Sequence, residues 1–281
     1  MPVHDDLGTR MKEYYEKIPR TKLMRRTPVI IRLDGKSFHT FTHKFDRPFD
    51  EVFMETMKQT TKYLCENIQG CVLGYTQSDE ISLILVDYQS HVTDAWFGYE
   101  VQKMTSVSAS MATMAFNKFF DQNVLNYFTN HVHLVENETE CYHEFNDPKY
   151  ERLYEVYLEA IERGAMFDSR VFNLPKEEVT NYVYWRQLDA SRNSVLMMGQ
   201  AHFGHSALHK KTCNMIQDML MLEKGINWND LPVPKKRGTC VIYKNQNLLD
   251  DEKPHWIIDN EIPIFKGDGR EYIDPLVYIG D

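Results

Sequence analysis

The stretch Thr27-Pro28-Val29-Ile30-Ile31-Arg32-Leu33-Asp34-Gly35 carries the clearest structural signal in this chain. Its first seven residues are rich in β-branched and aliphatic side chains, and the run stops at Asp34-Gly35, a pair that is common in turns. This pattern predicts a buried strand that ends in a turn. We therefore expect the carboxylate of Asp34 at the tip of a strand from the hydrophobic core.

Outward from this strand, the hydrophobic spacing predicts the rest of a sheet. The predicted elements are helices at 48–68 and 101–119 and strands at 71–75, 81–86 and 170–174. Residues 76–80 are expected to join the middle two strands as a β-hairpin loop. The order β-α-β-β-α-β is that of a ferredoxin-like (split βαβ) fold. It predicts an α+β protein with a polymerase-palm antiparallel sheet and helices on one face.

The whole chain, residues 1–281, is interpreted as a single palm-like catalytic domain. Residues 1–174 are expected to form the palm core. An insertion at 121–168, with an acidic stretch and a short helix near 151–162, is interpreted as a surface elaboration. Residues 175–281 are expected to form a C-terminal helical and strand extension. Within it, helices are predicted at 177–198 and 206–224 and strands at 240–243 and 256–258.

The composition places the chain among ordinary folded proteins. It has 281 residues, of which 42% are hydrophobic and 26% charged, which excludes a disordered or small disulfide-stapled class. The five cysteines lack C-x-x-C spacing, which argues against a disulfide framework or a zinc ribbon and favours a reducing compartment. The N-terminus is charged, and no apolar run reaches the roughly 18 residues of a membrane span. We therefore expect a cytoplasmic protein with no membrane partner.

The net charge of −9 excludes a protein that coats nucleic acid through its overall charge. Two local basic clusters remain as candidate contacts. They are Arg20, Lys22, Arg25 and Arg26 before the first strand, and Lys235, Lys236 and Arg237 near the C-terminus. Each cluster is compatible with a solvated charge run or with a nucleic-acid contact.

Asp34, Asp79 and Glu80 form the most informative pattern. In a split βαβ sheet, the first strand lies beside the hairpin, so the strand tip and the hairpin loop can converge. Carboxylates that close repel one another unless a divalent cation lies between them. Oxygen ligands without a nearby His or Cys favour Mg²⁺ over zinc. On spacing alone, these residues are equally typical of ordinary turns.

Six ordered motifs resemble the tRNA(His) guanylyltransferase superfamily. They are residues 32–39 (RLDGKSFH), 47–50 (RPFD), 77–80 (QSDE), Lys103 with Ser110, Trp185-Arg186-Gln187 with Asp189, and 236–239 (KRGT). The matches run in order over most of the chain, which is far more specific than a lone pair of acids.

The resemblance implies a nucleotidyltransferase that adds nucleotides to the 5′ end of tRNA in the 3′-to-5′ direction. Asp34 and Asp79, with Glu80, would be catalytic, and Asp34, the Gly35 carbonyl and Asp79 would hold two Mg²⁺ ions. The implied nucleotide-binding residues are Lys36, Ser37, Phe38, His39, Arg47, Asp50, Ser78 and Lys103. The implied RNA-binding residues are Arg186, Arg192, Asn193, Lys236 and Arg237. The same resemblance implies ATP or GTP for 5′ activation, other NTPs as substrates, and a homotetramer.

One departure from the family pattern bears on the subtype. Eukaryotic members that guanylate histidine tRNA carry a His-Ile-Asn-Asn run where this chain has Ser191-Arg192-Asn193-Ser194. The chain therefore resembles the guanylyltransferase-like proteins of bacteria, archaea and their viruses, which repair 5′-truncated tRNA in a template-directed reaction. Three alternatives stay open: a tRNA(His) guanylyltransferase that adds a single 5′ G, a nucleotide cyclase, and a non-catalytic RNA-binding protein.

Overall fold

The structure, a computed structural model, describes residues 6–136, 141–244 and 253–279. It is a mixed α/β fold around a six-stranded antiparallel sheet. The strands are β1 (Val29–Gly35), β2 (Cys71–Gln77), β3 (Glu80–Leu85), β4 (Val132–Glu136), β5 (Cys141–Phe145), β6 (Phe167–Asn173), β7 (Thr239–Lys244) and β8 (His255–Asp259). The sheet order is β6-β1-β3-β2-β7-β8, and β4 and β5 form a separate hairpin.

Helices connect and cover these strands. They are α1 (Asp6–Met11), α2 (Phe38–Phe41), α3 (Glu51–Asn67), α4 (Val101–His131), α5 (Pro148–Arg163), α6 (Lys176–Ala207), α7 (Cys213–Lys224), α8 (Val233–Arg237) and α9 (Asp274–Val277). A five-residue π-helical segment, Lys12–Glu16, follows α1. Short 3₁₀ segments lie at Trp96–Tyr99, Trp228–Asp230 and Gly267–Tyr272. None of the described helices is long and apolar enough to cross a membrane.

The sheet is buried on both faces, which differs from the expectation of helices on one face. Val29, Ile31 and Leu33 of β1 belong to the core beneath α3 and α4. Ile30 belongs to a second core that contains Val179 of α6. Because successive side chains of a strand point to opposite faces, the unbroken apolar run of β1 requires cover on both sides. The C-terminal part of the chain supplies the second cover.

The hairpin loop is shorter than predicted. Pairing between β2 and β3 continues to Gln77 opposite Glu80, which leaves a two-residue loop, Ser78-Asp79. Ser78 has a left-handed backbone, with φ of 49°. Two-residue hairpin loops favour such a conformation because it matches the twist of the flanking strands. The tight loop fixes Asp79 at the end of the sheet.

The predicted insertion at 121–168 is wrong in its start and in its role. The helix expected to stop near 119 continues as α4 to His131. Helix α5 begins after Asp147, whose side chain caps it by accepting a hydrogen bond from the Lys149 backbone, and it buries Leu153 and Tyr157 in the main core. Helix α5 of this segment is therefore part of the core and not a surface elaboration. Its acidic residues Glu138 and Glu140 lie outside the described residues.

The C-terminal strands complete the sheet. Strand β7 pairs with β2, and β8 pairs with β7. The second predicted C-terminal helix starts later than residue 206: α7 begins at Cys213, where the Thr212 hydroxyl caps it by accepting from the Met215 backbone. The sequence identified these segments as strands and helices, but their place in the main sheet required the tertiary structure.

Candidate active site

Asp34 and Asp79 meet at one edge of the sheet, as the sequence predicts. Asp34 lies opposite Glu80 in the β1–β3 pairing, and the backbone N–H of Gly35 donates to the backbone carbonyl of Asp79 at 3.1 Å. Burial raises the pKa of the Asp79 carboxyl, and the negative charge of Asp34 raises it further. The Ser78 hydroxyl donates to Asp79 at 3.0 Å, which lowers this pKa in part. Two carboxylates therefore share a small volume.

Gly35 is required by a close approach to Phe38. A Cβ at position 35 would lie 2.3 Å from the Phe38 ring. Phe38 follows Ser37, whose left-handed backbone begins α2, and its ring packs on Phe41, Phe53, Phe116 and Phe167. The motif after β1 thus anchors an aromatic side chain directly beside the two carboxylates.

A cleft of about 310 Å³ opens next to Asp79. Its lining residues are Phe38, His39, Thr42, Phe45, Asp46, Arg47, Pro48, Asp50, Phe53, Ser78, Asp79, Met197 and Gln200. Five of the predicted nucleotide-binding residues are among them: Phe38, His39, Arg47, Asp50 and Ser78. The aromatic floor and the polar rim suit a small ligand with an apolar body and charged groups.

Several lining residues were missed by the sequence reasoning. Phe45 and Phe53 belong to the same aromatic cluster as Phe38. Their spacing along the chain was the only sequence signal that they lie near the cleft. Met197 and Gln200 come from α6, more than a hundred residues from the first motif. Nothing in the sequence around them points to a ligand, so their part in the cleft follows only from the tertiary structure.

Asp50 is committed to holding the cleft wall together. Its carboxylate accepts hydrogen bonds from the backbone of Phe53 at 2.8 Å and of Asp46 at 3.0 Å, and from the Tyr157 hydroxyl at 2.7 Å. It caps α3, and burial raises its pKa. Asp50 therefore joins α3, α5 and the loop before α3. A direct contact of Asp50 with a nucleotide stays a prediction.

Three predicted nucleotide-binding residues do not line the cleft: Lys36, Ser37 and Lys103. Lys36 and Ser37 are exposed beside it. The ammonium of Lys103 lies 4.8 Å from the centre of the Phe97 ring. Thr113, ten residues further along α4, accepts a hydrogen bond from the Phe167 backbone, opposite Gly35 in the sheet. Lys103 therefore lies about 15 Å along the helix axis from the level of Gly35.

Glu80 forms a buried ion pair that ties the hairpin to α6. Its carboxylate accepts from Arg32 at 2.6 Å and from Arg186 at 2.8 Å. Burial raises the pKa of Glu80 although both arginines lower it. Arg186 is only 5% exposed and stacks on Trp185, with 3.6 Å from its Cζ atom to the ring centre. The guanidinium of Arg186 is thus enclosed by this ion pair, and a contact between Arg186 and RNA stays a prediction.

The basic segment at 235–237 lies beside the cleft. A smaller cavity of about 90 Å³ is lined by Phe49, Asp50, Phe53, Met54, Gln77, Ser78, Ala190, Asn193, Ser194, Met197, Pro234, Lys235, Lys236, Arg237 and Gly238. The Trp228 indole donates to the Ser194 hydroxyl at 2.9 Å, and this hydroxyl donates to the Lys235 carbonyl at 2.6 Å. Three predicted RNA-binding residues, Asn193, Lys236 and Arg237, thus adjoin the cleft, and Arg192 is exposed nearby.

The other basic cluster lies at the opposite end of the sheet. Arg25 forms an ion pair with Asp87 at 2.5 Å, and Asp87 follows the far end of β3. Strand β1 separates this cluster from Asp34 by about 20 Å, at 3.3 Å per residue. The two basic clusters of one chain are therefore not adjacent, and RNA binding by the cluster at Arg20–Arg26 stays a prediction.

The oxygen ligands near Asp79 suit a hard cation that is also coordinated by substrate phosphates and water. Among the described residues, no group of three or more His, Cys, Asp or Glu side chains is arranged to hold a metal ion. Two carboxylates are nevertheless oxygen donors of the kind that Mg²⁺ binds when substrate phosphates and water complete its coordination, and the Gly35 carbonyl stays a predicted ligand. A bound cation would favour the charged form of Asp79, whose pKa is raised by burial and by the charge of Asp34.

Comparisons with known proteins identify the family of the chain. The family model for tRNA(His) guanylyltransferase matches residues 8–175. A bacterial tRNA(His) guanylyltransferase-like protein in complex with ATP is 40% identical, with a TM-score of 0.77 over 97% of this chain and 99% of that chain. An uncharacterized protein of Acanthamoeba polyphaga mimivirus is 29% identical over 94% of this chain and 85% of its own length. A tRNA(His) guanylyltransferase of Debaryomyces hansenii is 25% identical over 82% of this chain and 79% of its own length.

The family model covers more than half of the chain and includes the Asp34 and Asp79 motifs. The solved bacterial structure extends the match over the C-terminal extension as well. This chain therefore belongs to the tRNA(His) guanylyltransferase family.

Proposed function

We propose that the protein is a template-directed nucleotidyltransferase that adds nucleotides to the 5′ end of tRNA in the 3′-to-5′ direction. The observation that carries the proposal is the convergence of Asp34 and Asp79 beside the 310 Å³ aromatic cleft, which Asp79 lines. Bacterial relatives of similar fold have been solved in complex with ATP and with GTP. A cleft for a nucleoside triphosphate beside paired carboxylates supports phosphoryl transfer.

The proposed subtype is 5′-end repair of truncated tRNA. The run Ser191-Arg192-Asn193-Ser194 stands where enzymes that guanylate histidine tRNA in eukaryotes carry a different run. In the structure, the Ser194 hydroxyl donates to the Lys235 carbonyl, so this segment helps to position the basic segment at 235–237. The 40% identity to the bacterial guanylyltransferase-like protein, against 25% to the Debaryomyces enzyme, supports the same subtype.

The proposal assigns roles to the main residues in and beside the cleft. Phe38 and His39 enclose the nucleoside, while Arg47 and Ser78 bind triphosphate oxygens through charged and polar hydrogen bonds. Asp34, Asp79 and the Gly35 carbonyl would hold two Mg²⁺ ions. Bound Mg²⁺ would supply charge neutralisation at the phosphates and would lower the pKa of a coordinated hydroxyl. Glu80, paired with two arginines, keeps the hairpin in register so that Asp79 stays at the cleft.

The reaction has two stages. A 5′-monophosphate RNA end attacks the α-phosphate of ATP or GTP, which releases pyrophosphate and leaves a nucleotidyl-capped end. The 3′-hydroxyl of an incoming NTP then attacks the 5′ phosphate of the RNA, loses its proton and displaces the nucleotide. A 5′-triphosphate end would enter at the second stage and lose pyrophosphate. Arg47 and Ser78 stabilise the charge that develops on the phosphate oxygens at both stages.

The same proposal covers the larger organisation of the protein. We infer a polymerase-like palm, with core residues 1–174 and the C-terminal extension 175–281. The antiparallel neighbours β1, β3 and β2, with Asp34 opposite Glu80, support this inference. The homotetramer and the RNA contacts of Arg192, Asn193, Lys236 and Arg237 belong to this proposal. A cytoplasmic location fits a reaction on tRNA.

The test offers purified protein a 5′-truncated tRNA, labelled NTPs and Mg²⁺. Watson–Crick matched nucleotides should be added to truncated tRNAs of several identities, and addition should stop when the acceptor stem is complete. A strict requirement for a histidine anticodon, or a single untemplated G, would identify the alternative tRNA(His) guanylyltransferase activity. NTP turnover to a cyclic product without RNA would identify a cyclase, and binding without extension would identify a non-catalytic protein.

A further inference from the structure

A basic groove continues from the candidate cleft past Arg47. A cavity of about 250 Å³ is lined by Lys44, Phe45, Asp46, Arg47, Lys149, Arg152, Leu153 and Val156. Phe45, Asp46 and Arg47 also line the 310 Å³ cleft, so the two spaces adjoin. The charged lining consists of four cations and a single carboxylate. This balance contrasts with the net charge of −9 for the whole chain.

The groove extends along the full length of α5. A further cavity of about 190 Å³ shares Lys44 and Val156 with the first and ends at Arg163. We call the combined surface, with cations Lys44, Arg47, Lys149, Arg152 and Arg163, the α5 groove. Lys149 and Arg163 lie about 21 Å apart along the helix axis. A nucleic acid strand carries one phosphate per about 3.4 Å of its axis, so the groove spans several phosphates.

The charges of α5 are sorted between its two sides. Lys149, Arg152 and Arg163 line the groove, at spacings that place them on one side of a helix. Glu151, Glu155 and Glu162 line neither cavity. Glu159 is the exception, and it forms an ion pair with Lys44 at 2.9 Å. A helix whose charges served only solubility would not need this separation.

The cations of the groove can exchange their present partners for phosphate. Lys149 pairs with Asp46 at 3.1 Å, but the side chains are 63% and 41% exposed, as those of the Lys44 pair are 56% and 55% exposed. Ion pairs this exposed contribute little to stability. Neither Arg47 nor Arg152 forms an ion pair with a carboxylate of the described residues. Both guanidinium groups are exposed at the groove.

We propose that the α5 groove binds the phosphodiester backbone of the RNA next to the 5′ end on which the enzyme acts. This inference rests on the proposed function, because it takes tRNA as the partner. The groove starts where the cleft ends, at Arg47, so a bound strand would lead directly to the reacting phosphate. The α5 groove thereby takes the place of the cluster at Arg20–Arg26, which the sheet separates from the cleft.

The test variant is Lys149→Glu/Arg152→Glu. The control is Lys118→Glu/Lys224→Glu, which changes the charge equally at two exposed residues outside the groove. Affinity for a 5′-truncated tRNA is measured at several KCl concentrations, and ATP affinity is measured without RNA. Circular dichroism confirms folding, and Lys149→Gln/Arg152→Gln repeats the measurement with a milder change.

The groove variant should bind the tRNA at least tenfold more weakly than the control, with ATP affinity changed less than threefold. The slope of log affinity against log salt should fall by about 1.4 to 1.8, for two lost phosphate contacts. A loss no larger than that of the control overturns the proposal, as does a loss of ATP affinity with tRNA binding intact. The binding measurement does not depend on catalysis. If the protein binds tRNA through the groove but extends no RNA, the proposed function is refuted and the groove proposal stands.

Discussion

The backbone N–H of Gly35 donates to the backbone carbonyl of Asp79 at 3.1 Å, so the tip of β1 and the hairpin loop are joined by their main chains. This bond places the Asp34 and Asp79 carboxylates on a rigid frame that does not depend on side-chain conformation. The two-residue loop allows little freedom, since Gln77 and Glu80 are already paired on either side. The site is therefore built into the sheet before any ligand binds.

The first prediction concerns Gly35→Ala. A Cβ at this position would lie 2.3 Å from the Phe38 ring, so the ring or the strand must move. We expect a loss of about 1 to 3 kcal/mol in the free energy of unfolding, together with weaker NTP binding. Denaturant unfolding and ATP titration measure both. The double variant Gly35→Ala/Phe38→Leu should recover part of the stability, and no change in either measurement would show that the ring gives way without cost.

The second prediction concerns the paired acids. Asp34→Asn and Asp79→Asn should each abolish 5′ activation and nucleotide addition in Mg²⁺, because each removes an anionic oxygen ligand. The melting temperature should stay the same or rise, since each change also removes a like-charge repulsion. Asp168→Asn is the matched control, because Asp168 lies opposite Asp34 in β6, is exposed and belongs to no motif of the site. Near-normal rates in either test variant would refute the metal assignment.

The third prediction concerns the ion pair between Arg186 and Glu80. Arg186→Ala leaves a buried carboxylate with only Arg32 as its partner, and we expect about 3 to 5 kcal/mol of destabilisation near neutral pH. Both arginines lower the pKa of Glu80, so losing one raises a pKa that burial already holds above its usual range. The folded variant then takes up a proton more readily than the unfolded chain.

The deficit of Arg186→Ala should therefore shrink as the pH falls toward and below the raised pKa of Glu80, where the carboxyl is neutral. Thermal unfolding of the wild type and the variant across pH 4 to 8 measures this difference. Arg186→Lys, which keeps the charge, should lose less at every pH. A deficit that is independent of pH would show that Arg186 acts through packing on Trp185 and not through Glu80.

The fourth prediction concerns Arg47, which lies at the junction of the cleft and the α5 groove. Arg47→Ala should weaken NTP binding by about 1.5 to 3 kcal/mol if its guanidinium bonds a phosphate. The matched variant Lys103→Ala tests the other predicted triphosphate contact, since Lys103 lies on Phe97 and outside the cleft. In ATP titrations of the two purified variants, Arg47→Ala should lose more affinity than Lys103→Ala. Equal losses would mean that Lys103 contacts the nucleotide although it lies outside the cleft of its own chain.

The sequence by itself determined the elements and the edge at which the acids meet. The buried run of β1, the helical spacings and the family motifs placed Asp34 and Asp79 correctly, because hydrophobic periodicity and turn residues are local signals. The family resemblance implied nucleotide contacts for Phe38, His39, Arg47 and Ser78, and all four line the cleft. Their contact with a nucleotide stays a prediction. Element ends were less well predicted, since the end of α4 at His131 depends on contacts with distant residues.

Only the tertiary structure decided which charges are available at the surface. Arg186 and Arg152 are chemically alike in the sequence, yet Arg186 is enclosed with Glu80 while Arg152 is exposed in the α5 groove. The sequence could not separate them, because pairing between charges depends on which residues the fold brings within a few ångströms. It likewise could not show that residues 148–163 join the core, since a helix on the surface and a helix in the core have the same amphipathic pattern until their partner is known.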